Sequence, residues 1–319
     1  MRLLVKLSGW LAKQTPAFVA AVAVLAYFLP SSFGWVRGNA QTAILGVIML
    51  SMGMTLTAQD FRILASRPLD VAIGAAAQFV LMPAIAFSLS HAFGLPRAVA
   101  VGLVLVGVCP GGVSSNVMSF LCKGDVAFSV GMTATTTLLA PLMTPLLMKC
   151  LAGELVDVDA LGMFKSVLVV TLIPVALGFL LNHFFGAGRG FRQTVKVMPG
   201  VAVLGLACIV GGVVSAQGAA FAKCGWTVFA AVFLHNALGY VGGYATGVLA
   251  RFSRAKKRTV AIEVGMQNAG LATVLATRHF PLLPEAAIAA AVSCTWHSIS
   301  GALLAGVFNA LDRAFAARR

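Results

Sequence analysis

The 319-residue chain is poor in charge: Asp, Glu, Lys and Arg together make up 10% of it, and only nine residues are acidic. A soluble domain of this length needs a polar shell, which a chain with 60% hydrophobic residues and a mean hydropathy of +0.95 cannot supply. Soluble enzymes and soluble binding modules are excluded on that ground. The six cysteines (109, 122, 150, 208, 224, 294) form no C-x-x-C pair and read as small buried hydrophobes. No H-E-x-x-H occurs among the five histidines, so zinc hydrolysis has no motif behind it. An intramembrane aspartic protease would need two aspartates at membrane depth, and the chain offers no convincing pair. The period-2 alternation of a transmembrane barrel is absent too.

Long apolar runs are what the chain does have. A helix needs roughly 20 apolar residues to cross ~30 Å of hydrocarbon. Ten stretches qualify, near 15–33, 40–57, 70–91, 97–121, 125–150, 162–184, 196–216, 225–250, 259–279 and 284–311. An all-α polytopic membrane protein of ten transmembrane helices is predicted. Arg2, Lys6 and Lys13 precede the first stretch, which is long for a signal peptide and lacks a convincing small-x-small cleavage site before the next span; it reads as a retained span.

The formal charge of +14 reports topology. Of the 23 Lys and Arg, 17 fall on the side that holds both ends of the chain and 6 on the other. The positive-inside rule then makes both termini cytoplasmic, in an inner (plasma) membrane. "RFSRAKKR" at 251–258 reads as a topogenic loop against anionic lipid, and nucleic acid is not an expected partner.

The chain also divides in two. The polar break "CPGGVSSN" (109–116) and the break "EVGMQNAG" (263–270) lie about 154 residues apart, as do the spans starting near 70 and 225. Two five-span halves, about 15–150 and 162–311, must face opposite ways across the bilayer, the inverted-repeat plan of many secondary transporters. Pro110 removes a backbone donor and the flanking glycines make helix costly, so the fourth and ninth spans should each be discontinuous. Gly/Pro kinks are common in ordinary spans, but two breaks at matching positions, each followed by Asn, favour a binding site.

Eight acidic residues lie near span ends or in loops, and Glu263 is the exception. A carboxylate at the centre of a membrane helix costs a few kcal/mol and normally has a partner. It stands only five residues beyond Arg258, so the linear sequence leaves its depth open. No apolar segment carries a Lys or Arg to neutralise it, which leaves a proton or a metal ion. Oxygen groups nearby are Gln78, Ser114, Ser115, Asn116, Gln267 and Asn268, with Asp125, Ser129, Thr133 and Thr137 along one helical face. Some of these hydroxyls can merely bond their own i−4 carbonyls. One carboxylate among neutral oxygens is poor in charge for Ca²⁺ and too irregular for Mg²⁺, and suits a monovalent cation.

"CPGGVSSNVMSFLCKGDVAFSVGMT" (109–133), "EVGMQNAGLA" (263–272) and "WHSISGALLAG" (296–306) resemble the signature segments of the bile acid:sodium symporter family, especially its bacterial members. That resemblance implies a single transport unit over residues 1–319. It has a panel domain of helices 1, 2, 6 and 7 and a core domain of helices 3–5 and 8–10, with discontinuous helices 4 and 9 crossing. It implies two Na⁺ ions, one held by Ser115, Asn116, Ser129, Thr133 and Glu263. The other would be held by Gln78, Glu263, Gln267 and the carbonyls of Val264 and Met266. The substrate it implies is an organic anion, a small pantoate-like monocarboxylate or a bile salt, met by Val113, Ser114, Asn268, His297 and Ser298. Many relatives have Thr where Val113 stands and Asn where Ser298 stands. A proton-coupled carrier and a passive anion channel remain as alternatives.

Overall fold

The structure, a computed structural model, describes residues 1–316, without the side chains of residues 2, 61, 63–65, 219, 221–225 and 315. The reading of Cys224 as a buried hydrophobe lies outside the described residues. Helix makes up 83% of the protein, and no strand occurs among the described residues.

In chain order the helices are α1 (Arg2–Lys13), α2 (Thr15–Phe28), α3 (Asn39–Gly53), α4 (Ala58–Ser66), α5 (Pro68–Ala92), α6 (Arg97–Val108), α7 (Ser115–Leu121) and α8 (Val126–Ala152). They continue as α9 (Ala160–Val167), α10 (Ile173–Phe185), α11 (Arg189–Val195), α12 (Met198–Leu249), α13 (Arg254–Gly265), α14 (Ala269–His279) and α15 (Ala286–Ala316). Among the described residues six segments are long and apolar enough to span a bilayer: Pro68–Ala92, Val126–Ala152, Ala160–Phe185, Arg189–Gly218, Trp226–Leu249 and Ala286–Ala314. A seventh arises if α1 and α2, bent by 81°, form one span. The chain is therefore an all-helical, multi-pass membrane protein.

Local chemistry sets the breaks. Pro174 lacks an N–H and its ring crowds the carbonyl four residues earlier, and the π-helical turn Leu168–Leu172 just ahead of it absorbs the disruption. Side-chain caps start several helices: Asp125 accepts from Phe128 N at 3.0 Å, Asp159 from Gly162 N at 2.8 Å and Asn268 from Leu271 N at 3.0 Å.

Packing follows the membrane pattern, apolar outward and polar inward. On α8, Leu138, Leu142 and Leu146 are exposed while Ser129, Thr133, Thr136 and Thr137 are buried. Backbones meet at small residues. At Gly243 of α12, a β-carbon would stand 2.6 Å from the Val260 carbonyl oxygen of α13, so only glycine permits that contact.

The basic run at 251–258 is more structural than its sequence implies. Lys256 pairs with Asp70 and lies 5.1 Å from the centroid of the Phe128 ring. Arg258 is buried, donating to Asp312 at 2.5 and 3.0 Å and to the Cys122 carbonyl at 3.0 Å. Arg254 joins the same carboxylate at 2.7 Å. Three of the run's cations thus fasten the start of α13 to its neighbours.

Candidate functional site

The two polar breaks meet. Helix α6 stops at Val108, the chain runs extended through Cys109, and α7 restarts at Ser115. Helix α13 stops at Gly265, Met266 is extended, and Asn268 caps α14. Between them Gly111 and Gln267 form an antiparallel bridge. Gly112 N donates to Met266 O at 2.8 Å and Asn268 N to Pro110 O at 2.8 Å. Backbone released from helix inside a membrane protein must find partners, and here each break supplies the other's.

The carbonyls at the ends of the half-helices are satisfied by side chains. Thr144 donates to Val108 O at 2.9 Å, Gln78 to Cys109 O at 3.2 Å, Asn236 to Gly265 O at 2.7 Å and Gln267 to Val264 O at 2.7 Å. Thr144 and Asn236 did not stand out in the sequence. Asn236 carried a signal, a carboxamide inside an apolar span beside His235, whereas Thr144 is one hydroxyl among many.

Glu263 lies beside this crossing, 2% exposed. Ser129 Oγ donates to its Oε1, and Thr133 Oγ1 donates to its Oε2 at 2.7 Å. Ser115 Oγ is 3.4 Å from Thr133 Oγ1 and donates to Gly112 O at 2.7 Å. No Lys, Arg or His forms an ion pair with Glu263 among the described residues. Ser119, absent from the sequence-based set, has its Oγ 3.0 Å from Ser129 Oγ, whose one proton goes to Glu263.

A second polar group adjoins the first. Gln78 Nε2 donates to Gln267 Oε1 at 2.5 Å, leaving the buried Gln78 Oε1 without a partner. The Met266 carbonyl is engaged by Gly112 N, and the Val264 carbonyl by the Gln267 amide. Of the sequence-predicted oxygen ligands, Ser115, Ser129 and Thr133 gather around Glu263, and Gln78 and Gln267 pair with each other. Asn116 sits apart from these hydrogen bonds: it lines the neighbouring cavity, and its buried Oδ1 has no partner.

That cavity, about 220 Å³, opens on the other side of the crossing. Val113, Ser114, Asn268, His297 and Ser298 all line it. The facing wall comes from α1, α2, α3 and α12, including Thr15, Leu45, Ile48, Met198 and Leu206. His297 Nδ1 lies 3.4 Å from Gln267 O, a contact that needs the proton on Nδ1, while the buried Nε2 has no partner. His235 finds its partner in Met82 O at 3.1 Å. The arrangement is two adjacent polar sites, one an anionic nest of oxygens and the other a largely apolar chamber with a few polar groups, separated by the crossed backbone.

Comparison with known proteins bears on what such a pair does. Residues 42–224 match the model of the Sodium Bile acid symporter family. The chain is 40% identical over 305 residues, 96% of itself and 94% of the relative, to the "Uncharacterized sodium-dependent transporter YocS" of Bacillus subtilis. It is 41% identical over 298 residues to the "Probable sodium/metabolite cotransporter BASS1, chloroplastic" of Arabidopsis thaliana, covering 92% of this chain and 73% of that one. The rice protein of the same name is 39% identical over 310 residues, covering 97% and 75%. These are transporters and not enzymes. With its crossed half-helices and its family match over more than half its length, the chain belongs to the sodium bile acid symporter family.

Proposed function

We propose that the protein is a secondary active symporter that couples movement of Na⁺ to that of an organic anion by alternating access. One observation carries the reading: Glu263 is buried at the crossing, receives two hydroxyl groups and, among the described residues, has no cationic side chain paired with it. An ionised carboxylate in that position calls for a cation. Its surroundings offer small neutral oxygens, the set suited to an alkali ion. The names of relatives, a sodium-dependent transporter and sodium/metabolite cotransporters, support the same ion.

Two Na⁺ ions are assigned. The first would be held by Glu263, Ser115, Ser129 and Thr133, with Asn116 reaching it by a change of rotamer. The second would lie at Gln78, Gln267, Glu263 and the Val264 and Met266 carbonyls. The unpartnered Gln78 Oε1 supports this second position, because a buried oxygen with no donor has an open place for a cation. Sodium here is cargo as well as a structural tie between the broken helices.

The anion would bind in the cavity in front of the crossing, where α14 begins at Asn268, Ala269 and Gly270. A helix N-terminus favours negative charge. Asn268, His297, Ser114 and Ser298 would orient the anion, and Val113 would give an apolar contact. A volume of about 220 Å³ favours a small monocarboxylate, such as a pantoate-like acid, over a bile salt. The wall from α1–α3 and the first part of α12 belongs to the panel domain (with α9–α10), and the crossing to the core domain. Two inverted five-helix repeats make the site accessible from either side in turn. Both termini are assigned to the cytoplasm, in the plasma membrane, from the charge distribution.

Because the two sites share one backbone crossing, Na⁺ and anion should raise each other's affinity equally. Na⁺ titrations with and without saturating anion test this: identical Na⁺ affinities would remove the coupling mechanism. Replacing Na⁺ by K⁺ or choline at fixed pH separates it from a proton carrier, which would keep working. Accumulation of anion against its gradient separates it from a channel.

A further inference from the structure

Helix α1 plays no part in the crossing, yet its surface is divided in a way that a span is not. It turns 81° away from α2, which packs beside α12, so α1 does not continue the line of α2. Three faces follow the helical period. Ser8 and Leu11 are buried, and Ser8 Oγ both donates to Val197 O at 3.0 Å and accepts from Gly200 N at 2.8 Å, fixing α1 to the start of α12. Leu3, Leu7 and Trp10, at i, i+4 and i+7, stand out from the protein, 77%, 51% and 56% exposed. Lys6 and Lys13, at i and i+7, are exposed on the adjoining face.

We infer that α1 is an in-plane anchor that seats Leu3, Leu7 and Trp10 among lipid acyl chains and sets Lys6 and Lys13 against the phosphates of an anionic leaflet. The apolar stripe is half or more exposed, on a chain that already spans a membrane. The lysines beside it select the occupant by charge: a leaflet rich in phosphatidylglycerol-type headgroups, each basic residue near such a surface being attracted to it. Aromatic Trp10 suits the boundary between chains and headgroups. The seat also touches the transport cavity. Ala12, at the end of α1, and Thr15, at the start of α2, both line the cavity. The anchor therefore holds one end of the cavity wall at a fixed height on the bilayer. The inference stands on the fold and does not depend on the identity of the transported ion.

The test uses the full chain in vesicles and reads Trp10 alone, as the difference between wild type and Trp10→Phe. In phosphatidylcholine mixed with phosphatidylglycerol, lipids brominated on the acyl chains should quench the Trp10 emission, and aqueous iodide should not. Lys6→Glu with Lys13→Glu should lose the greater quenching seen in anionic over neutral vesicles. Quenching of Trp10 by iodide and not by brominated chains would overturn the anchor. Equal quenching of wild type and the double variant in both lipid mixtures would overturn the choice of an anionic leaflet. Neither readout involves transport, so failure here and failure of the symport reading are distinguishable.

Discussion

Gly112 and Gln267 lie so close that a β-carbon on Gly112 would stand 2.8 Å from the Gln267 carbonyl oxygen. The two broken helices touch backbone to backbone at this point, and the bond from Gly112 N to Met266 O is the result. Gly112→Ala must push the breaks apart, at a cost of about 1–3 kcal/mol. Membrane insertion should survive, while the apparent Na⁺ affinity in uptake assays should fall roughly tenfold or more. Unchanged Na⁺ dependence would mean that the crossing and the ion site are independent.

Ser129 and Thr133 each give a hydroxyl to Glu263. Removing one hydrogen bond to a charged partner costs about 1.5–3 kcal/mol. Ser129→Ala and Thr133→Ala should therefore each weaken Na⁺ activation roughly tenfold or more, and Thr133→Ser should restore most of it. Failure of the serine variant to rescue would show that the methyl group of Thr133 matters more than its oxygen.

Asn236 donates to the carbonyl that ends α13 at Gly265, its one side-chain donor among the described residues. Asn236→Leu leaves that buried oxygen without its donor, a penalty of about 1–3 kcal/mol. The variant should melt at lower temperature in detergent, and saturating Na⁺ should recover part of the loss, because a ligand that binds the folded state stabilises it. A wild-type melting temperature would show that the carbonyl has another partner.

Two Na⁺ entering with one monoanion carry one net positive charge. Each 100 mV then adds ~2.3 kcal/mol to the driving force, roughly a fiftyfold change in the accumulation ratio at equilibrium. Proteoliposomes loaded to give an inside-negative K⁺ diffusion potential should take up more anion than those at zero potential. Indifference to the potential would exclude a two-to-one stoichiometry.

Much of the site was legible because its residues break local rules. Pro110, the paired glycines and a lone carboxylate in an apolar run cannot belong to a plain span, and the structure interrupts both helices where those residues fall. The depth of Glu263 was not legible, since Arg258 five residues earlier could have lain in the headgroups. The structure shows that Arg258, held by the Asp312 carboxylate, is itself buried in protein, and so is Glu263. The donors Thr144 and Asn236 were hidden for a different reason. Each pairs with a carbonyl 36 or 29 residues away on another helix, and nothing in a helical period encodes that. Asn116 shows the limit of motif reading in the same way. It sits one position into α7, and the direction of its side chain depends on the angle at which α7 leaves the break.

The account rests on Glu263 as the charge that holds sodium, and the direct measurement is a titration of purified protein with NaCl against KCl, by calorimetry or thermal shift, for wild type and Glu263→Gln. Na⁺ should bind and stabilise the wild type where K⁺ does not, and the glutamine variant should lose the Na⁺ response while remaining folded. Sodium binding of wild-type strength in Glu263→Gln would contradict the account.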